Sequence, residues 1–202
     1  MTDYLHRIAE KEINETLLAM GAVLIQGARA VGKSTIAKKL AKSDISLDSS
    51  VALIELAKIS PNVILTGQTP RFIDEWQLAP SIWNAVRHEI DKRQTTAQFI
   101  LAGSATPADD VTRHTGAGRI GRITLMPMTL FESGDSTKQV NFKKLFEDNF
   151  STVAGYGGLT VEQYVKRIIV GGFPNLINKS EKQAHIYLSN YLDDISRVNL
   201  GT

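Results

Sequence analysis

Short apolar runs alternate with amphipathic segments along the first two thirds of the chain. The runs "GAVLIQG" (21–27) and "QFILAGS" (98–104) are rich in β-forming residues and end in glycine or small polar residues. Each therefore predicts a buried parallel strand. The segment "DISLD" (44–48) predicts a further strand, and "RITLMPMTLFES" (122–133) predicts another after a loop rich in glycine and arginine.

Helical spacing of apolar residues marks the segments between these runs. The first twenty residues predict an amphipathic helix through Tyr4, Leu5, Ile8, Ile13, Leu17 and Leu18. Further helices are predicted for "KSTIAKKLAK" (33–42), for "SVALIELAK" (50–58) with Ser49 or Ser50 as cap, and for "APSIWNAVRHEIDKR" (79–93). The segment "NVILTG" (62–67) fits a strand or a short helix. We favour the helix because the next strand follows too closely for a crossover.

The character of the chain changes near residue 138. Beyond it, charged helices are predicted for "NFKKLFEDNF" (141–150), "TVEQYVKRIIV" (160–170) and "EKQAHIYLSNYLDDISR" (181–197). We therefore expect an α/β domain with an N-terminal helix over 1–137 and a helical region over 138–202. Repeated β–loop–α units in the first domain imply a mainly parallel sheet with its working edge at the strand C-termini.

Composition narrows the class of protein. The chain has 202 residues and 43% hydrophobic content, enough for one full core and part of a smaller one. Lys and Arg total 23 against 21 Asp and Glu, and a formal charge of +2 does not indicate a nucleic-acid partner. The absence of cysteine excludes disulfides, thiolate catalysis and Cys-type zinc sites. With neither a signal peptide nor an apolar run near the roughly 18 residues of a membrane span, we expect a cytoplasmic protein with no membrane partner.

The segment "GARAVGKS" (27–34) satisfies the pattern G-x-x-x-x-G-K-[ST] between a predicted strand and a predicted helix. Its glycines let backbone N–H groups turn toward an anion, and the helix N-terminus adds the positive end of its dipole. Lys33 is predicted to reach the β- and γ-phosphates, and the Ser34 hydroxyl to bind Mg²⁺. The candidate nucleotide contacts are Gly27, Ala28, Arg29, Ala30, Val31, Gly32, Lys33, Ser34 and Thr35.

An acid pair, Asp74 and Glu75, lies in "PRFIDEWQ" (70–77). A P-loop hydrolase needs one carboxylate at the end of a buried strand to hold Mg²⁺ and often a second to orient the attacking water. Asp74 and Glu75 fit those roles in that order. The alternative is the acidic first turn of a helix, which the helix dipole favours without any chemistry. Because Pro70 and Arg71 are unusual in a buried strand, we expect a short strand with Arg71 at its solvent-exposed entrance.

Three segments together resemble a prokaryotic family of AAA+-like ATPases within the P-loop superfamily: "PRFIDEWQLAPSIWNAVRHEID", "FILAGSATP" and "RHTGAGRIGRITLMPMTLFES". The resemblance implies a three-layer α/β P-loop NTPase fold, with an N-terminal ATPase module and a C-terminal domain of unknown function. It matches Lys33 and Ser34 to Walker A, and Asp74 and Glu75 to Walker B. Because relatives run on for about another domain length, we expect this chain to be truncated in its C-terminal domain.

Two further site residues follow from the resemblance. Ser104 matches the sensor-1 position, a polar group beside the γ-phosphate, although a serine can also simply end a strand. Arg119, in "GAGRI", is the best candidate for an arginine finger that neutralises charge in the transition state. If Arg119 acts on a neighbouring copy, the protein must self-associate. Arg113 fits a solvated loop at least as well.

We therefore predict an ATPase module that binds ATP with Mg²⁺ and hydrolyses it to ADP for an unknown client. Lys33, Ser34 and Asp74 would hold phosphate and metal, Glu75 would activate water, and Ser104 and Arg119 would tune the γ-phosphate. The chief alternative is a nucleotide-gated interaction module with negligible hydrolysis, which could reach DNA through a C-terminal domain. A small-molecule kinase is disfavoured by the acid pair and by the lack of an arginine-rich lid.

We assign no functional site to the histidines or the tryptophans. The four histidines, His6, His88, His114 and His185, are scattered without ligand spacing, and we assign no metal to them. Trp76 and Trp83 lie seven residues apart around the acid-pair helix, and we expect them to pack against a neighbouring element rather than stack on a base.

Overall fold

The computed structural model describes residues 4–103, 116–140, 143, 146 and 154–200. The chain divides into two compact units, one over His6–Met126 and the other over Pro127–Thr202 together with Met1–Leu5. The first unit contains the sheet, and the second contains the C-terminal helices. The predicted domain boundary at residue 138 stays a prediction.

The sheet of the first unit has five described strands, and every neighbouring pair is parallel. The strands are β1 (Ala22–Gln26), β2 (Ser43–Ser46), β3 (Arg71–Asp74), β4 (Phe99–Ala102) and β5 (Ile120–Thr124). Their order in space is β2-β3-β4-β1-β5. The predicted α/β class with a mainly parallel sheet is confirmed, and each predicted strand segment overlaps a strand.

Helices connect these strands as the apolar spacing predicts. They are α1 (Ala9–Ala19), α2 (Lys33–Leu40), α3 (Val51–Ile59), α4 (Pro61–Ile64) and α5 (Ser81–Arg93). Ser50 caps α3, since its hydroxyl accepts a hydrogen bond from the backbone N–H of Leu53 at 3.1 Å. The ambiguous segment at 62–67 contributes to the short helix α4, as we favoured.

Apolar side chains alternate between the two faces of the sheet. Leu24, Ile73 and Leu101 belong to a buried cluster that includes residues of α3, α4 and α5. Val23 and Ile100 belong to a second cluster that includes residues of α1 and α2. Because strand side chains point to opposite faces with a period of two, these clusters lie on opposite sides of the sheet. The predicted three-layer arrangement is thereby confirmed.

The strand predicted for residues 122–133 is wrong in its extent. β5 spans Ile120–Thr124, and the ladder continues for one more hydrogen bond, from the N–H of Leu125 to the carbonyl of Gln26 at 2.8 Å. Pro127 follows and has no N–H to donate, so the parallel ladder cannot continue through it. The apolar residues after Pro127 belong to the second unit.

Arg71 is buried, and the prediction that it would be solvent-exposed is wrong. It is the first residue of the four-residue strand β3, and only 8% of its surface is exposed. Its Nε donates to the carbonyl of Ile64 at 2.6 Å, and its Nη1 lies 3.1 Å from the Ser43 hydroxyl. Burial lowers the pKa of the guanidinium, and nearby Asp44 partly opposes that shift. The guanidinium thus satisfies the last carbonyl of α4 and links β3 to β2.

The second unit is built on two described helices, α6 (Val161–Val170) and α7 (Glu181–Leu200). Thr160 and Gln163 form a capping box that satisfies the first turn of α6. A small apolar core contains Val170, Leu176 and Ala184. The two predicted helices are confirmed, whereas the helix predicted over 141–150 lies almost wholly outside the described residues. Among the helices that the structure describes, none combines the length and apolarity needed to cross a bilayer.

The close contact between α1 and β5 depends on glycine at position 121. A Cβ added there would lie 2.2 Å from Cγ2 of Thr16. We expect Gly121→Ala to lower the free energy of unfolding by about 1–3 kcal/mol, the usual cost of overpacking. Thr16→Ala removes the obstructing methyl and leaves the Thr16 Cβ at 3.7 Å, so the double variant should recover part of the loss. Urea unfolding of both single variants and the double variant tests this, and strictly additive losses would contradict the contact.

Candidate functional site

The strand register brings three chain segments to one edge of the sheet. β4 lies between β1 and β3, and Ala102 is level with Ile25 on one side and with Asp74 on the other. Neighbouring strands are about 4.8 Å apart, so the ends of β1 and β3 are separated by about 10 Å. Because all strands are parallel, the segments that follow β1, β3 and β4 leave the sheet at the same carboxyl edge. The loop at 27–32 and the acid pair are two of these segments.

The loop between β1 and α2 has the left-handed backbone that its glycines allow. Gly27 has a φ of 140° and Gly32 a φ of 101°. A Cβ on Gly27 would lie 2.4 Å from the carbonyl oxygen of Leu125, so the loop leaves the sheet against the end of β5. Ala28, Arg29 and Ala30 are exposed, whereas Val31 is buried in the apolar cluster beneath. The loop is therefore exposed over residues 28–30 and anchored by the buried side chain of Val31, directly before the N-terminus of α2.

Lys33, the first residue of α2, is 8% exposed. Its Nζ donates to the carbonyl of Gly27 at 2.9 Å and to that of Ala28 at 2.8 Å. Burial lowers the pKa of Lys33, the charges of Glu75 and Asp74 partly restore it, and Arg29 lowers it. The ammonium therefore lies in the field of both members of the acid pair. The structure brings together residues that are about forty positions apart in the sequence.

Asp74 is the last residue of β3 and is 8% exposed. Ser34 follows Lys33 in α2 and is half-buried, and Thr35 beside it is exposed. Ser34 supplies a hydroxyl oxygen and Asp74 a carboxylate oxygen, which are the donor types that Mg²⁺ prefers. Within the described residues no cluster of three or more His, Asp or Glu side chains forms a closed metal cage. A site of one or two protein ligands completed by phosphate oxygens is the usual arrangement for Mg²⁺.

Glu75 lies in the turn that follows β3. Its backbone is left-handed, with a φ of 50°, and its N–H donates to Oδ1 of Asp74 at 3.1 Å. The next three residues, Trp76–Leu78, form a single 3-10 turn. Glu75 accepts a hydrogen bond on Oε2 from the side-chain amide of Gln77. The alternative interpretation of the acid pair as an ordinary helical first turn does not describe this geometry, because α5 begins only at Ser81.

Two predicted site residues are not placed at this edge. Ser104 lies outside the described residues, although Gly103 before it follows directly on β4. Arg119 precedes β5, and its carbonyl accepts from the N–H of Ala22 at 3.0 Å. Ala22 and Ile120 are the first paired residues of β1 and β5, so Arg119 lies at the amino edge of the sheet. That edge is opposite to the one that carries the loop.

Arg119 makes an ion pair at the amino edge. Its Nε donates to Oδ1 of Asp91 at 2.7 Å, and both side chains are about 40% exposed. The hydrogen bond lowers the pKa of Asp91 and raises that of Arg119. Arg119 therefore does not complete the phosphate loop of its own chain.

Arg7 contacts the loop and was missed by sequence reasoning. Its guanidinium is buried, with Nη1 donating to the carbonyl of Val31 at 3.0 Å and Nη2 to that of Met126 at 2.5 Å. These bonds join the N-terminal segment, the phosphate loop and the chain after β5. A lone arginine near an amphipathic helix gives no sequence signal for such a role.

Trp76 and Trp83 pack in the core, as predicted. Trp76 is fully buried and Trp83 is 2% exposed. Their ring centroids are 5.1 Å apart, within the range of favourable aromatic contacts. The pair fixes the turn that carries Glu75 against α5.

Comparison with known proteins identifies a family for most of the first unit and several similar proteins. Residues 20–133, more than half of the chain, match a family described as AAA domain. Two uncharacterized proteins, from Mycobacterium bovis and Mycobacterium tuberculosis, are each 27% identical over 134 residues, which is 64% of this chain. The match spans 30% of the length of those relatives.

Two solved structures are also similar to the chain. A Walker-type ATPase of Pyrococcus abyssi has a TM-score of 0.49 at 15% identity, over 98% of this chain and 74% of that one. PCH-2 of C. elegans has a TM-score of 0.36 at 17% identity, over 63% of this chain and 41% of that one.

Loss of the Arg7 guanidinium should loosen the loop. Arg7→Met leaves the Val31 and Met126 carbonyls without this donor, and hydrogen bonds to charged groups contribute about 1.5–3 kcal/mol. We expect a decrease of that size in the free energy of unfolding, measured with urea. Lys39→Met is the matched control, because it removes a more exposed cation that pairs with Glu10 at 3.3 Å. Equal losses in the two variants would contradict the anchoring role.

The lowered pKa of Lys33 predicts a pH-dependent difference in stability. Folding disfavours the charged amine, and this penalty disappears as the pH rises through the lowered pKa toward the usual value near 10.5. Wild-type protein should therefore gain stability relative to Lys33→Met between about pH 7 and about pH 10. Urea unfolding of both proteins across this range measures the difference. A difference that stays constant with pH would show that Lys33 carries no burial penalty.

Proposed function

The chain belongs to the AAA domain family, and from that membership we propose that its phosphate loop binds Mg-ATP and that Glu75 promotes hydrolysis of the γ-phosphate bond. The observation that carries the proposal is the position of the Lys33 ammonium. It is held by the loop carbonyls while lying in the field of Asp74 and Glu75. One cation thus joins the phosphate loop to the acid pair, which is the combination that phosphoryl transfer to water needs.

Each residue takes a role that its position supports. The loop from Gly27 to Gly32 supplies backbone N–H groups to the phosphates, and Thr35 lies one residue beyond Ser34 on the same helix. Lys33 exchanges its carbonyl partners for β- and γ-phosphate oxygens. Glu75 orients a water molecule and accepts its proton as the water oxygen bonds to the γ-phosphorus; the bond from that phosphorus to the β–γ bridging oxygen breaks, and ADP and phosphate are released.

Magnesium fits the oxygen donors at this edge. Ser34 would hold the ion directly, and Asp74 would hold it directly or through water, because both donors are hard oxygen atoms. When bound, the ion neutralises charge on the phosphate oxygens. The protein's own part is to keep Asp74 fixed at the end of β3, where its Oδ1 already accepts from the N–H of Glu75.

A role for Arg119 requires a second copy of the chain. Arg119 lies at the amino edge of the sheet, paired with Asp91, so it cannot reach the phosphates bound by its own loop. We propose that it completes the site of a neighbouring copy, which would make hydrolysis depend on protein concentration. Ser104 stays a proposed γ-phosphate contact, since β4 ends between the loop and Asp74.

The first test is hydrolysis by wild-type protein and by Glu75→Gln. The substitution keeps the size of the side chain and removes the base, so we expect ATP binding to remain and phosphate release to fall by about 10²–10⁴-fold. Glu55→Gln is the matched control, because Glu55 is exposed on α3 and its carboxylate pairs with Lys58 at 2.8 Å, on another part of the chain. Calorimetry measures binding, and a coupled phosphate assay measures release.

Two results would overturn the assignment. Wild-type phosphate release in Glu75→Gln would remove Glu75 from the reaction. ATP binding without phosphate release by the wild-type protein would favour a nucleotide-gated interaction module instead. Labelled ATP separated by thin-layer chromatography, with and without candidate acceptors, distinguishes hydrolysis from transfer to a small molecule.

A further inference from the structure

We propose that Gln77 is a positioning residue for Glu75, a role that rests on the proposed function. Its side-chain amide donates to Oε2 of Glu75, which leaves Oε1 of that carboxylate to receive a proton from water. A carboxylate can accept hydrogen bonds on both oxygens, so one donor orients it without blocking the other oxygen. Gln77 thus takes the place of the third group that orients a base in many hydrolytic sites.

The turn that carries both residues is rigid. Trp76 between them is fully buried and packs on Trp83. The N–H of Leu78 donates to the carbonyl of Glu75 at 3.0 Å, and the N–H of Ala79 to that of Trp76 at 3.1 Å. The backbones of Glu75 and Gln77 are therefore fixed relative to each other. Only side-chain torsions remain to be set, and the hydrogen bond sets them.

The other end of the Gln77 amide lies against β4. An ideal Cβ on Gly103 would be 2.1 Å from Oε1 of Gln77, so the carboxamide occupies space that only glycine leaves free. Gly103 directly follows β4, the strand between the loop and the acid pair. The carboxamide is thus wedged between Glu75 and the carboxyl end of the central strand. Contact on both sides fixes its orientation.

Gln77 Oε1 is buried and has no hydrogen-bond partner among the described residues. An unsatisfied buried acceptor costs stability, and such a group in a folded protein calls for an explanation. Rotation of the amide would turn Oε1 toward the Glu75 carboxylate, where two acceptors would repel each other. With its N–H on Glu75, the amide thus points its oxygen away from the carboxylate, where the described residues offer it no donor. The same amide that donates to Glu75 therefore has a buried oxygen without a partner among the described residues.

The kinetic test compares Gln77→Leu, Gln77→Glu and Gly103→Ala with wild-type protein. The first removes the amide, the second places a like charge beside Glu75, and the third displaces the amide while leaving Gln77 in place. We expect kcat for ATP hydrolysis to fall by about 10–100-fold in each, with ATP affinity unchanged, because loss of an orienting partner has this effect. Gln68→Leu, at an exposed glutamine, is the control and should keep the wild-type rate.

A double variant separates positioning from general structural damage. If Gln77 acts only through Glu75, then Gln77→Leu should cause no further loss in a Glu75→Gln background. A second full loss in that background would overturn the proposal. Unchanged kcat in Gln77→Leu, with hydrolysis by the wild type intact, would also overturn it and leave the proposed function standing.

A spectroscopic measurement tests the contact without turnover. In ¹H–¹⁵N spectra, the side-chain amide signals of Gln77 are assigned as the pair that disappears in Gln77→Leu. We expect Glu75→Ala to shift that pair, and an unshifted pair would overturn the contact. If Glu75→Ala shifts the pair but the wild-type protein releases no phosphate, the contact stands, whereas the proposed function and, with it, the positioning role are overturned.

Discussion

Backbone hydrogen bonding of β4 to β1 on one side and to β3 on the other sets the distance between the phosphate loop and the acid pair. Ala102 is level with both Ile25 and Asp74, so the phosphate loop and the acid pair leave the sheet at the same height, about 10 Å apart. The Lys33 ammonium donates to two carbonyls of the loop and lies in the field of both acids. Apolar clusters on both faces hold the three strands in this register, because a slip of one residue would exchange the two sets of buried side chains.

Two buried cations, Arg7 and Lys33, donate to carbonyls of the loop at this edge, and Gly27, Gly32 and Glu75 have left-handed backbone there. Arg7 anchors the loop through the Val31 carbonyl, and Lys33 carries a burial penalty that the charges of Glu75 and Asp74 partly offset. Glu75 adopts a left-handed conformation that a non-glycine residue rarely takes, and Gln77 has a buried oxygen with no hydrogen-bond partner in the part of the chain that the structure describes. The burial of Lys33, the left-handed backbone of Glu75 and the unpaired Gln77 oxygen each cost stability, and functional sites are where proteins tolerate such costs.

Most of the fold could be predicted from the sequence because most of its strands and helices show a local pattern of apolar and polar residues. "GAVLIQG" and "QFILAGS" are short apolar runs, and Ser50 caps α3 by a local rule. The side-chain contacts across the sheet could not be predicted, since they depend on which strands become neighbours. Arg71 looked like a residue at the solvent-exposed entrance of a strand, yet it satisfies the Ile64 carbonyl at the end of α4. Arg7 and Gln77 show no sequence signal of their roles, which depend on the tertiary structure that places Val31 beside Arg7 and Gly103 beside Gln77. The position of Arg119 at the amino edge follows only from the pairing of β5 with β1.

The central claim is that the loop, Lys33 and the acid pair form one nucleotide site. Calorimetry of wild-type protein and Lys33→Met with ATP, GTP and ADP in the presence of Mg²⁺ tests it most directly. We predict saturable binding of Mg-ATP by the wild type and at least about tenfold weaker binding by Lys33→Met, a loss of about 1.4 kcal/mol or more. Equal affinity in the two folded proteins, or no binding by the wild type, would contradict the account.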